Sequence, residues 1–146
     1  ICRKDEKNEF ISKFLRQRKT ERGLIFCRTR AGAITLSKQL TKMGHAVDVL
    51  QGELTQKERD KVMRSFKKER FSVLIATDVA ARGIDVEELA FVIHHQIPDQ
   101  LEYYTHRSGR TARAGRKGVS VALIDPRERK SLARFERELD ISFREL

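Results

Sequence analysis

The sequence has no apolar run approaching the length of a bilayer span. Stretches such as Val73-Leu74-Ile75-Ala76 are a few residues long, where a spanning helix needs about 20. No charged-then-apolar leader opens it, so the default expectation is a cytoplasmic protein with no membrane partner. Cysteine is nearly absent: Cys2 and Cys27 stand alone, with no second pair and no His-x-x-His to complete a zinc site. Both are expected to be reduced and structural, and no metal is expected on the chain itself. The eight glycines include no two that stand five positions apart, which excludes the Gly-x-x-x-x-Gly-Lys-Ser/Thr loop that cradles phosphates. Acids are outnumbered, 21 against 31 lysines and arginines, and the net charge of +10 argues for an anionic partner, nucleic acid foremost. Repeats, low-complexity tracts and interior linkers are also missing. The 146 residues therefore suit one domain, residues 1–146, large enough to bury a core. The first residue is Ile1 and not methionine, so the chain is expected to be a fragment of a longer protein.

What is present is an alternation of strand-like and helix-like segments. Phe10, Ile11, Phe14 and Leu15 mark one face of a helix over 5–18, and Leu24-Ile25-Phe26-Cys27 reads as a buried strand. Ala33, Leu36, Leu40 and Met43 form a second helical stripe that Gly44 is placed to end, before a strand over 46–50. Thr55 and Glu58 have capping-box spacing at the start of a helix running to about Lys68. Strands are expected over 72–76, 91–95 and 119–124. Asp125 and Pro126 open a closing helix with Leu132, Phe135 and Leu139 turned inward. Apolar, β-branched strands alternating with helices predict an α/β fold: a doubly wound, mostly parallel sheet of five or more strands flanked by helices. In such sheets ligand groups gather at the carboxyl ends of the strands. Arg28-Thr29-Arg30, Gln51-Gly52-Glu53 and Thr77-Asp78 fall there.

Between the last two strands, Arg107, Arg110, Arg113 and Arg116 recur at steps of three with no acid among them, separated by small Ser108, Gly109 and Ala112. On a helix, Arg107, Arg110 and Arg113 would share one side, and guanidinium forks can grip phosphoryl oxygens in pairs. Taken singly, the polar residues have plain readings. Thr77 and Asp78 could cap a short helix, Gly52 and Gly83 could be turn residues, Gln56 and Arg59 a solvent-facing pair, and His106 a half-exposed histidine. His94 and His95 read as the end of a strand.

The ordered set outweighs those readings. The segment Ala76-Thr77-Asp78-Val79-Ala80-Ala81-Arg82-Gly83-Ile84-Asp85, with His106 to Arg113, resembles motifs V and VI of the C-terminal RecA-like domain of DEAD-box ATP-dependent RNA helicases. Leu24 to Thr29 looks like that family's motif IV, and Gln56-x-x-Arg59, preceded by Gly52, like motif IVa. The resemblance implies that Arg110 and Arg113 are arginine fingers, catalytic and ATP-binding, reaching phosphates held by an N-terminal RecA-like domain that this chain lacks. It implies that Asp85, with Gly83 allowing close approach, meets the nucleotide ribose. Thr29, Gly52, Arg59 and Thr77 would hold the RNA backbone, and His106 and Arg107 would couple the two sites through the partner domain. Hydroxyls, bare amides and an arginine contact phosphate and sugar without reading base edges, so binding is expected to be sequence-independent and to weaken with salt.

Ala112 departs from the family's usual glycine, which bears on how closely Arg113 approaches the phosphates. His106, where nucleotide-promiscuous relatives typically carry glutamine, favours the DEAD-box type. The implied cofactor is ATP with Mg2+, bound mainly by the missing half, since no Asp-Glu-Ala-Asp sequence is present either. The chain alone is expected to be inactive. A non-catalytic RNA-binding regulatory module and half of a DNA helicase are the competing readings. RNA and the N-terminal RecA-like domain are the expected partners, and the sequence leaves the oligomeric state open.

Overall fold

The three central strands of the sheet are short, mostly apolar runs buried on both sides, the pattern a sheet adopts when helices cover both faces, while the two edge strands are largely half-buried. A computed structural model describes residues 6–18, 21–50, 55–68, 72–81, 89–98, 100–108 and 118–145. The strands are β1 (Gly23–Cys27), β2 (Val47–Leu50), β3 (Val73–Thr77), β4 (Phe91–His94) and β5 (Val119–Ala122), all parallel and ordered β2-β3-β1-β4-β5. The expected doubly wound α/β sheet is therefore the observed one.

Helices α1 (Lys7–Gln17) and α2 (Arg30–Lys42) place Ile11, Phe14, Leu36 and Leu40 against Ile25, Ile75, Ile93 and Val121 on one face. On the other, Phe66 of α3 (Gln56–Lys67) and Ala80 of α4 (Asp78–Ala81) pack on Leu24, Phe26, Leu74 and Val92. Tyr104 of α5 (Leu101–Ser108) and Phe135 of α6 (Arg129–Leu139) enclose Ile97 and Ile124. Each such Val, Leu, Ile or Phe side chain, fully buried, contributes roughly 1.5–3 kcal/mol.

The turn chemistry follows the sequence with two adjustments. Thr55 Oγ1 accepts from the Glu58 amide at 3.2 Å, but the Glu58 carboxylate meets the Thr55 hydroxyl at 3.2 Å and not its amide, so the box is only half reciprocal. At the start of the last helix the box is complete: Asp125 accepts from the Arg127 amide at 2.8 Å and Glu128 accepts from the Asp125 amide at 3.0 Å. Pro126–Glu128 form a 3-10 turn that leads into α6. Met43, expected on the inward stripe, is 40% exposed. Gly44, at φ 91°, ends the helix there, and the tightening last turn, with Met43 N–H bonded to both Gln39 and Leu40 carbonyls, rotates the side chain off the buried face.

Strand order places the ligand edge. The chain leaves β1 toward β2 and leaves β4 toward β5, so neighbouring strands send their connections in opposite directions. In sheets of this kind that reversal marks the ligand crevice, here between the carboxyl ends of β1 and β4.

Candidate functional site

Among the described residues, the most deeply buried cation of this rim sits there. Arg107, near the end of α5, is 1% exposed. Its Nε and Nη2 donate to the two carboxylate oxygens of Asp78, each at 2.7 Å, a fork-on-carboxylate pair. Nη1 donates to the Gln96 carbonyl at 2.8 Å, and the guanidinium lies 5.2 Å from the centre of the Phe26 ring. The carboxylate follows β3, the ring belongs to β1 and the carbonyl follows β4, so one side chain joins three adjacent strand ends. A charge this deep is tolerated because it is both paired and hydrogen-bonded. The Arg107 fork is thus committed inside the domain to a carboxylate.

The segment after β4 is held from three sides. Lys7 Nζ, buried on α1, donates to the His95 carbonyl at 2.7 Å. Arg28 brings Nε and Nη2 to the Ile97 carbonyl at 2.9 and 2.6 Å. With Arg107 on Gln96, three consecutive carbonyls each accept from a cation on a different element. Charge-assisted bonds of this kind are shorter and stronger than neutral ones, and here they secure the segment just past β4, where the His95 amide still donates to the Phe26 carbonyl at 2.9 Å.

Thr29 stands at the carboxyl end of β1 and caps α2, its hydroxyl oxygen accepting from the Gly32 amide at 3.0 Å. Thr77, the last residue of β3, accepts in the same way from the Ala80 amide at 3.3 Å. Arg59 Nη2, from α3, donates to the Ala80 carbonyl at 2.8 Å and so anchors α4. His106 is exposed beside Arg107 on the last turn of α5. Arg59, Thr77 and Arg107 thus converge on the Thr77–Ala81 segment, while Thr29 lies at the end of the adjoining strand. Gly52, Gly83, Asp85, Arg110, Ala112 and Arg113 lie outside the described residues. The helix entering the arginine cluster is described as far as Ser108.

Electrostatics on the rim follow burial. Burial pushes the Cys27 thiol up to about 12, against the opposing effects of Arg107 and Lys7, so it is a neutral packing group. Burial, then Arg107, holds His94 down at about 3, and burial, then Lys7, holds His95 at about 4. Both imidazoles are neutral at physiological pH.

Sequence reasoning placed Arg28 and Asp78 in loops at the ligand edge and His94 in a strand, but assigned none of the three a site role. Asp78 read as a cap, Arg28 was only part of a motif, and His94 read as a strand end. The available signal for His94 was its position two residues after Val92 in an apolar strand, which puts it on the same buried face. For Asp78 no pairwise signal exists, since its partner lies 29 positions away.

A parallel sheet with polar groups gathered at the carboxyl ends of its strands is the architecture of a doubly wound α/β domain, and its structural neighbours are RecA-like. A family model described as the helicase conserved C-terminal domain matches residues 6–115, and the chain belongs to that family, in its DEAD-box branch. The ATP-dependent RNA helicase FAL1 of Kluyveromyces lactis is 47% identical over 113 residues, 77% of this chain and 28% of that protein. The DEAD-box ATP-dependent RNA helicase CshC of Bacillus cereus is 37% identical over 145 residues, 98% of this chain and 36% of that one. Among solved structures, a DEAD box protein of the hyperthermophile Methanococcus jannaschii superposes with a TM-score of 0.91 at 39% identity, covering 99% of this chain and 40% of that one. Dbp5 of S. cerevisiae bound to RNA and ADP BeF3 gives 0.88 at 31% identity, covering 97% and 38%. The chain thus spans between about a quarter and two fifths of the lengths of these proteins.

Proposed function

We propose that this chain is the C-terminal half of an ATP-dependent RNA helicase and works only opposite an N-terminal RecA-like domain that holds ATP. Arg110 and Arg113 act as fingers on the phosphates, and Gly83 and Asp85 receive the ribose. Thr29, Gly52, Arg59 and Thr77 hold the RNA backbone, and His106 and Arg107 link the two sites. The observation that carries the reading is the bidentate Arg107–Asp78 pair. It ties the helix that leads to Arg110, three residues on, to the segment that begins at Thr77. A shift on the nucleotide side is thereby transmitted to the RNA side through one rigid connection, and both ligands favour the same closed arrangement.

The described residues contain no group of three or more histidine, cysteine or carboxylate side chains arranged to hold a metal ion. In this reading Mg2+ would arrive with the nucleotide on the opposing half. When bound it would offset phosphate charge, and Arg110 and Arg113 would stabilise the charge that spreads over the transferring γ-phosphoryl oxygens.

The test uses the longer protein that carries this chain. Arg110→Ala is expected to lower RNA-stimulated ATP turnover by a factor on the order of a thousand, with nucleotide affinity still measurable. Undiminished turnover would overturn the finger assignment. Unwinding of a DNA duplex in place of an RNA duplex would instead select the DNA-helicase reading.

A further inference from the structure

We propose that His94 is a positioning residue, whose neutral imidazole, carrying its proton on Nε2, fixes the orientation of Arg107 and with it the end of α5. His94 is the last residue of β4 and is fully buried. Its ring lies almost parallel to that of Tyr104, with centroids 4.8 Å apart and planes at 13°. Tyr104 precedes Arg107 by three residues on α5, about one turn, so the helix that carries the arginine also sets the plane of the imidazole. Nε2 lies 3.0 Å from Ser120 Oγ on β5, and Nδ1 lies 3.5 Å from Arg107 Nη1.

The second contact is long, yet it decides the tautomer. A guanidinium has only donors, so the nitrogen that faces it must present a lone pair. The proton then sits on Nε2 and is donated to Ser120. An imidazolium at that place would set two cations against each other away from water, and the low affinity of His94 for a proton agrees with this.

The result is a directed chain: His94 Nε2–H donates to Ser120, Arg107 donates to His94 Nδ1, and Arg107 donates to Asp78. It runs from β5 through β4 and α5 to α4. Asp78 and the Gln96 carbonyl take three of the guanidinium's N–H bonds, and Phe26 lies beneath it. His94 bounds the side those partners leave. Removing its lone pair would let the plane of the fork turn, and the last turn of α5 would turn with it. The functional consequence rests on the reading of Arg110 and Arg113 given above, but the tautomer and the restraint on Arg107 do not.

Three variants separate the outcomes. His94→Leu removes the lone pair, His94→Asn supplies a carbonyl for Arg107 and an amide for Ser120, and Ser120→Ala removes the acceptor of the Nε2 proton. In the chain itself, nitrogen-resolved NMR at neutral pH is expected to show a lone pair on Nδ1, and a sharp Arg107 Nε–H resonance. That resonance should broaden in His94→Leu and recover in His94→Asn. A proton on Nδ1, or an unchanged Arg107 resonance in a folded His94→Leu, overturns the proposal. Should His94→Leu fail to fold, an Arg107 resonance in Ser120→Ala as sharp as in the parent overturns it, and one that broadens supports it.

In the longer protein, His94→Leu is expected to lower kcat for RNA-stimulated ATP turnover by about tenfold or more. KM for ATP should stay within about twofold of the parent, and His94→Asn should recover most of the loss. A parent protein with no RNA-stimulated turnover would refute the helicase reading and leave the NMR arm to decide this one.

Discussion

Around Arg107 four strand or helix ends meet, and the chemistry of each partner is dictated by the guanidinium's need for acceptors. Asp78 supplies charge, Gln96 a carbonyl and His94 a lone pair. Burying this set requires the neighbouring histidines to be neutral, which makes the fold sensitive to acid. His94 and His95 titrate at about 3 and 4 in the folded chain against an ordinary 6.5. Between pH 6.5 and those values the unfolded chain binds protons that the folded one excludes, so stability falls as pH drops. The expected slope is up to about 1.4 kcal/mol per pH unit for each histidine. Urea unfolding at pH 7.5 and pH 5 should show a lower midpoint at pH 5, and His95→Asn should reduce the difference. Equal midpoints would contradict the burial argument.

Elements impose their own constraints, most tightly where β1 passes β4. Gly23 opens β1 against Phe91, and a Cβ built there would lie 2.1 Å from the Phe91 ring. Nothing flexible lines that contact, because Phe91 is fully buried and also packs edge-on against Phe14, with ring centroids 5.2 Å apart. Gly23→Ala is therefore expected to destabilise the domain by about 1–3 kcal/mol, read as a drop in melting temperature by calorimetry. An unchanged melting temperature would mean that the sheet absorbs the methyl group. The caps behave differently. Asp125 and Glu128 form their box within four consecutive residues, so local sequence suffices to place them, whereas the half-formed box at Thr55 shows how easily a reciprocal contact relaxes when both groups are exposed.

For the whole molecule, the decisive property is that the sequence holds no Gly-x-x-x-x-Gly-Lys-Ser/Thr loop to cradle phosphate. The 146-residue chain alone is expected to hydrolyse ATP at no more than background rate, with or without RNA, in a phosphate-release assay. Robust RNA-stimulated release would refute the division of the site between two domains. The sheet's alternation, its parallel sense, the closing helix and the family's motifs were all legible in the sequence, because periodicity, caps and motif spacing are local properties of neighbouring residues. Only tertiary structure decided that Arg107 turns inward onto Asp78, that Lys7, Arg28 and Arg107 take three successive carbonyls, and that His94 is a neutral acceptor. Those contacts join residues 11 to 88 positions apart. Their energy depends on distance and on exclusion of water, and both exist only once strand order has brought the ends of β1, β3 and β4 together.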